Sequence, residues 1–143
     1  MILSKEIATQ LIEEMIPVHK FLGVKLLDIK EGYCKLLFPF REEMLGNFIT
    51  RRWHGGMIAT AMDSVGGAAA MTTLTSPEDK LATIDMRVDF LRGTSETDLV
   101  VEGFLVRNGN RIIAAKMKAW QEDGQKLVAE ARGMFSVYRQ KKD

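Results

Sequence analysis

The chain has a single cysteine, Cys34, in 143 residues, which excludes an intrachain disulfide framework and fits a reducing compartment. Metal ligands are scarce too. Two histidines, His19 and His54, and that cysteine show no ligand spacing, so no metal is expected. The formal net charge of +1 supplies no basic field, so neither nucleic acid nor a membrane surface is an expected partner. Long apolar runs are missing: the longest, residues 57–71, is interrupted by Asp63 and is too short to span a bilayer. Charge arrives at Lys5 and Glu6, too early for a signal-peptide apolar region. A cytoplasmic location is the expectation. There is no phosphate loop, no Gly-x-Gly-x-x-Gly and no serine in a nucleophile elbow, so no cofactor is expected.

What is present suits one domain over residues 1–143, with 46% hydrophobic residues to build its core. In residues 4–15, Ile7, Leu11 and Met15 recur every fourth position with Ala8 and Ile12 alongside. That spacing predicts a short amphipathic helix, capped by Ser4 and ended by Pro17. Residues 18–23 read as a connector. Residues 24–29 and 33–40 read as strands joined at Glu31-Gly32, with Leu36, Phe38 and Phe40 on one face and Pro39 marking an edge or an end. Residues 41–53 read as a loop, and residues 54–71 as one long helix that stops near Thr72–Thr75. In residues 81–91, Ile84, Met86, Val88 and Phe90 alternate with Thr83, Asp85, Arg87 and Asp89, a strand with one wet face. Strands over 97–107, 111–120 and 126–138 follow, with hairpin signals at Asn108-Gly109 and Asp123-Gly124. The end, Lys141-Lys142-Asp143, is expected to fray. Six antiparallel strands need their apolar face covered, and only the helix over 54–71 is long and apolar enough to do it. The expected class is α+β: a twisted sheet wrapped around one central helix.

That helix is small and apolar on nearly all sides, yet it carries a carboxylate in its middle. Burying an unpaired Asp63 would cost several kcal/mol or raise its pKa. The pattern around it is specific: Asn47 in the loop, His54-Gly55-Gly56 opening the helix, and Asp63 seven residues after the second glycine. Together with Gly66-Gly67-Ala68, residues 82–92 and the closing Ala129 to Val137, this resembles the hotdog-fold thioesterases of the PaaI type. The resemblance implies hydrolysis of acyl-coenzyme A (acyl-CoA) thioesters of aryl, medium-chain or long-chain type. It also implies homodimers or dimers of dimers with shared sites. Many relatives have a glycine close before the histidine; this chain has Thr50-Arg51-Arg52-Trp53 there, which alters the rim of the site.

Thioester hydrolysis needs an attacking oxygen and donors for the oxyanion. Gly55 and Gly56 at a helix start offer backbone N–H groups without a side chain in the way. The Asp63 carboxylate would activate a water or attack directly. Eight positions separate Gly55 from Asp63, roughly 12 Å along one helix, so one carbonyl cannot be served by both. Two antiparallel central helices in a homodimer would set Gly55 of one subunit against Asp63 of the other. His54 is read as a positioning residue. Asn47 polarises the carbonyl or caps a turn. By the resemblance, Thr83 stands where some relatives have a serine that holds the attacking water, although alternation puts it on the wetter face. Arg51, Arg52, Arg92 and Arg107 are candidates for the CoA phosphates. Met57, Met62, Leu81 and Phe90 are candidate pocket walls, and methionine walls suit flexible aliphatic chains. Three competing readings remain: Asp63 as a structural acid paired with an arginine, a non-catalytic acyl-CoA binder or sensor of the same fold, and a hotdog dehydratase built on His54 and Asp63.

Overall fold

The structure, a computed structural model, describes residues 3–141; Lys142 and Asp143 of the expected frayed end lie outside the described residues. Helix α1 (Lys5–Gln10) starts at Ser4, whose Oγ accepts the Ile7 N–H at 3.2 Å. A π-helical turn, Leu11–Met15, follows, in which the Ile16 N–H reaches back to the Leu11 carbonyl. The expected stripe is corrected here. Ala8 and Ile12 are fully buried, whereas Ile7 and Met15 are exposed. The core-facing pair is i, i+4 from Ala8, and the wider π turn carries Met15 away from it. The first helical stretch stops at Ile16, extended at φ −82° and ψ 112° just before Pro17, as expected; it is the connector expected over 18–23 that proves helical. Pro17 opens helix α2 (Pro17–Leu22) at its first position, where a missing N–H costs nothing, and Gly23 at φ 73° closes it.

Strands β1 (Lys25–Lys30) and β2 (Tyr33–Phe38) follow, joined through Gly32 at φ 78°. The segment expected as a loop holds a 3-10 turn, Glu42–Met44, and a small hairpin of β3 (Leu45–Asn47) and β4 (Arg52–Trp53). The central helix α3 (Gly55–Met71) leads to β5 (Lys80–Phe90), β6 (Leu99–Asn108), β7 (Ile112–Gln121) and β8 (Lys126–Tyr138). The six long strands form one antiparallel sheet in the order β1-β2-β6-β7-β8-β5. Asp123 and Gly124, at φ 52° and 81°, form the left-handed pair of a tight hairpin turn. Asn108-Gly109 does not. Asn108 is the last residue of β6, pairing with Ile113, and the loop runs over 109–111.

The sheet curls around α3 and buries Ile58, Ala61, Met62, Val65 and Ala69 against Leu36, Phe38, Val101, Met117 and Phe135. The helix seats closely at one point. A Cβ built on Gly103 of β6 would fall 2.6 Å from the Val65 carbonyl oxygen of α3. Gly103→Ala should therefore destabilise the fold by about 2 kcal/mol, because neither backbone can yield cheaply. A lowered urea midpoint at unchanged slope would report it; an unchanged midpoint would contradict the close seating.

β5 is an edge strand, and its outer edge has no partner among the described residues. The apolar face expected for it is only partly covered: Met86 and Val88 are half-buried, but Ile84 and Phe90 are exposed. A long edge strand with exposed apolar side chains is a template for pairing.

Candidate active site

His54 caps α3. Its Nδ1 accepts the Gly56 N–H at 2.8 Å, while its carbonyl takes the Met57 and Ile58 N–H groups. The local chain is held for this purpose, since the His54 N–H donates to the Met44 carbonyl at 2.7 Å. Gly46 lies so near that a Cβ there would meet the His54 Cα at 2.8 Å. The structure thus revises the expected pair of donors. The Gly56 N–H is engaged by the His54 ring, and Gly55 has the N–H to which no acceptor is assigned among the described residues. Phe90 stands over it: a Cβ at Gly55 would lie 3.3 Å from the end of the Phe90 ring. Met57 lies two residues further on, half-buried against the core.

The rim is built by the β3–β4 hairpin. Asn47 is exposed, and its Oδ1 accepts the Ile49 and Thr50 N–H groups at 2.9 Å each, so it caps the hairpin turn. Its side-chain NH2 is left to donate elsewhere. Trp53 docks the hairpin on the 94–97 segment, with its N–H on Thr94 Oγ1 and its indole N–H on the Thr97 carbonyl. Arg51 is fixed by ion pairs to Glu42 and Glu96, so it braces the hairpin rather than presenting a free cation. Those two acids hold its guanidinium pKa above the ordinary value. Arg52 lies over Gly93, where a Cβ would collide with its guanidinium. Arg92 gives one N–H to the Leu127 carbonyl and is otherwise exposed. Arg107 is elsewhere, near Asn110, Ile112 and Met134 at the far end of β6.

Asp63 is half-buried on α3, and Thr83 of β5 donates its hydroxyl to Asp63 Oδ1 at 2.7 Å. Simple alternation would have turned Thr83 outward with Asp85 and Arg87. A bulge prevents that. Thr83 pairs with Phe135 but Asp85 pairs with Met134, so Ile84 is an extra residue and the strand changes parity there. Before the bulge the odd residues share the inner face with buried Phe135 and Val137; after it, the even ones do. Nothing in the local sequence marks this, because Ile84 fits the alternation as well as any apolar residue. No arginine pairs with Asp63 among the ion pairs of the described residues.

A cleft of about 390 Å3 opens beside Asp63 and Thr83. α3, the start of β5 and α2 line it. Leu81 is on its wall as expected, but Met62 is not, being fully buried in the core. His19 of α2, which sequence reasoning left in a connector, is a buried lining residue. Its ring Nδ1 lies 2.9 Å from the Ile12 carbonyl, the acceptor that the π turn leaves without its usual partner. Burial lowers its pKa and favours the neutral ring.

Asp63 and Gly55 thus sit on one helix, the acid with its hydroxyl partner at a cleft and the glycine under an aromatic ring. A family model described as the thioesterase superfamily matches residues 52–128, more than half of the chain and the stretch that holds both. The chain belongs to the thioesterase superfamily. Membership makes thioester hydrolysis its reaction class, and the sheet wrapped on α3 is the hotdog fold. Over 152 aligned positions this thioesterase is 30% identical to the medium/long-chain acyl-CoA thioesterase YigI of Salmonella typhimurium, covering 95% of this chain and 97% of that protein. A solved structure from Shewanella oneidensis, related to the thioesterase superfamily, aligns at a TM-score of 0.81 and 27% identity over 91% of this chain and 92% of that one. The PaaI protein of E. coli aligns at a TM-score of 0.76 and 19% identity over 85% and 84%, a likeness of fold alone. No helix among the described residues is long and apolar enough to cross a membrane.

Proposed function

We propose that this thioesterase hydrolyses aliphatic acyl-CoA thioesters of medium or long chain, with Asp63 as general base or nucleophile. The observation that carries it is the Asp63 carboxylate, held by Thr83 at the mouth of an apolar cleft. The hydroxyl occupies Oδ1 and leaves Oδ2 for a water or for the carbonyl carbon. Either route consumes one water and yields a carboxylic acid and the free thiol of CoA. The oxyanion is received by the Gly55 N–H at the positive end of α3, with the Asn47 NH2 as a second donor. His54 acts by position: its ring holds the first turn and so aims the Gly55 N–H. Phe90 and Met57 flank the arm that links thioester to nucleotide, and the exposed guanidiniums of Arg52 and Arg92 meet the phosphates. Similarity to YigI, whose name specifies medium and long chains, supports the aliphatic class.

The active unit in this proposal is a homodimer, alone or within a dimer of dimers. Gly55 and Asp63 are eight positions apart on one helix, about 12 Å, too far to act on one carbonyl. Pairing of the open β5 edges of two copies would cover Ile84 and Phe90 and bring two central helices side by side. Each site then takes Gly55 from one subunit and Asp63 from the other.

The test is release of free thiol from acyl-CoA. The expected result is multiple turnover on a saturated medium-chain substrate, with thiol and fatty acid formed one to one. Binding of that substrate without thiol release would instead favour the acyl-CoA sensor, and loss of water from a 3-hydroxyacyl substrate would favour the dehydratase.

A further inference from the structure

The cleft at Asp63 runs in one direction. Ser64, Gly67, Ala68 and Met71 line it along α3, and their spacing puts them on one face leading to the end of the helix. The first three are small and make a low floor. Met71 is large, and Leu74, in the turn beyond, stands with it as a second partly buried side chain. That turn is anchored. The carboxylate of buried Asp79 accepts the N–H groups of Thr75, Ser76 and Gln140 at 2.9, 3.2 and 2.8 Å. Val18 and His19 of α2 supply further wall.

Gly67 separates the groove from the core packing. A Cβ on its neighbour Gly66 would strike the Met117 sulfur at 2.9 Å, so Gly66 is required by the sheet against it. At Gly67 the nearest atom to such a Cβ is on the Phe135 ring at 3.7 Å, an ordinary contact. Packing leaves room for a methyl at Gly67; the low floor of the cleft is what its bareness serves.

Resting on the hydrolase reading above, we infer that the acyl chain lies along this stripe from Asp63 toward the C-terminal end of α3. Met71 and Leu74 are its end wall and set its length. From Asp63 to Met71 is eight residues, about 12 Å of helix. Extended backbone advances about 3.5 Å per three bonds, so that length accepts an acyl chain of roughly ten bonds. The cleft volume of about 390 Å3 leaves room for such a chain. The groove selects linear acyl groups of about eight to twelve carbons.

The experiment measures kcat/KM for thiol release across saturated acyl-CoAs from four to sixteen carbons, with wild type, Met71→Ala and Gly67→Ala. Wild type should peak within the inferred range. Met71→Ala opens the end wall and should move the peak to longer chains. Gly67→Ala raises the floor and should lower the rate on a ten-carbon chain about tenfold, the order expected for one misplaced methyl in an apolar pocket, and lower it less on a four-carbon chain. Thiol release with the same length profile in all three proteins overturns the groove and leaves the hydrolase standing. No thiol from any chain with wild type overturns the hydrolase reading, and this inference with it.

Discussion

Asp63→Asn should lower kcat for acyl-CoA hydrolysis by about 10^3-fold or more, the range expected when a positioned base is removed. Asparagine keeps the size of the side chain and an oxygen that can still accept from the Thr83 hydroxyl, so the fold and the cleft should survive. What disappears is the basic and nucleophilic oxygen. Because the substrate contacts away from the carbonyl are untouched, KM should change much less than kcat, the signature of an interaction made in the transition state. Thiol release and substrate binding measured on the same preparation separate the two. Wild-type turnover in Asp63→Asn would remove Asp63 from the chemistry.

The second large effect is expected at Gly55→Pro. Gly55 is the first residue of α3, a position where proline is favoured because its missing N–H has no partner within the helix. His54 sits at φ −62° and ψ 130°, the extended conformation that a residue before proline prefers. A Cβ here meets only the end of the Phe90 side chain, at 3.3 Å, which a shift of a few tenths of an ångström in that ring relieves. The substitution thus deletes one N–H and little else. If that N–H receives the oxyanion, kcat should fall about 10^2- to 10^3-fold at nearly unchanged thermal stability. The two inactive variants also test the shared site. When Asp63→Asn and Gly55→Pro chains are mixed and allowed to exchange, half the dimers are hybrids, and each hybrid keeps one complete site of two, so about a quarter of wild-type activity should return. Exchange without recovery would place both groups in one subunit's site.

The central helix and the order of elements along the chain were legible because they rest on composition and on period-two alternation; that β5 pairs with β8 at the sheet edge, and not with the β6 that follows it, was not. His54-Gly55-Gly56 and Asp63 were legible too, since a capping residue, two bare positions and an acid inside an apolar helix are local signals. Thr83 was harder. Its orientation depends on the extra residue at Ile84, a property of the pairing between β5 and β8 that β5 alone does not encode. Arg51 looked like a free cation because its partners, Glu42 and Glu96, come from two different loops. The π turn had no sequence mark either. It moved Met15 outward and made an acceptor of Ile12 for His19, a residue that reads as connector until α2 folds back. Local chemistry was readable, then, while features set by the register between distant segments were not.

The near-contact between Gly103 and the Val65 carbonyl acts as a notch for the whole helix. α3 carries the proposed oxyanion donor at its start, the carboxylate at its middle and the proposed acyl stop near its end, all on one rod indexed to the sheet at that seat. A side chain at position 103 would lift the rod and shift all three stations together, so a residue outside the cleft would set their common alignment.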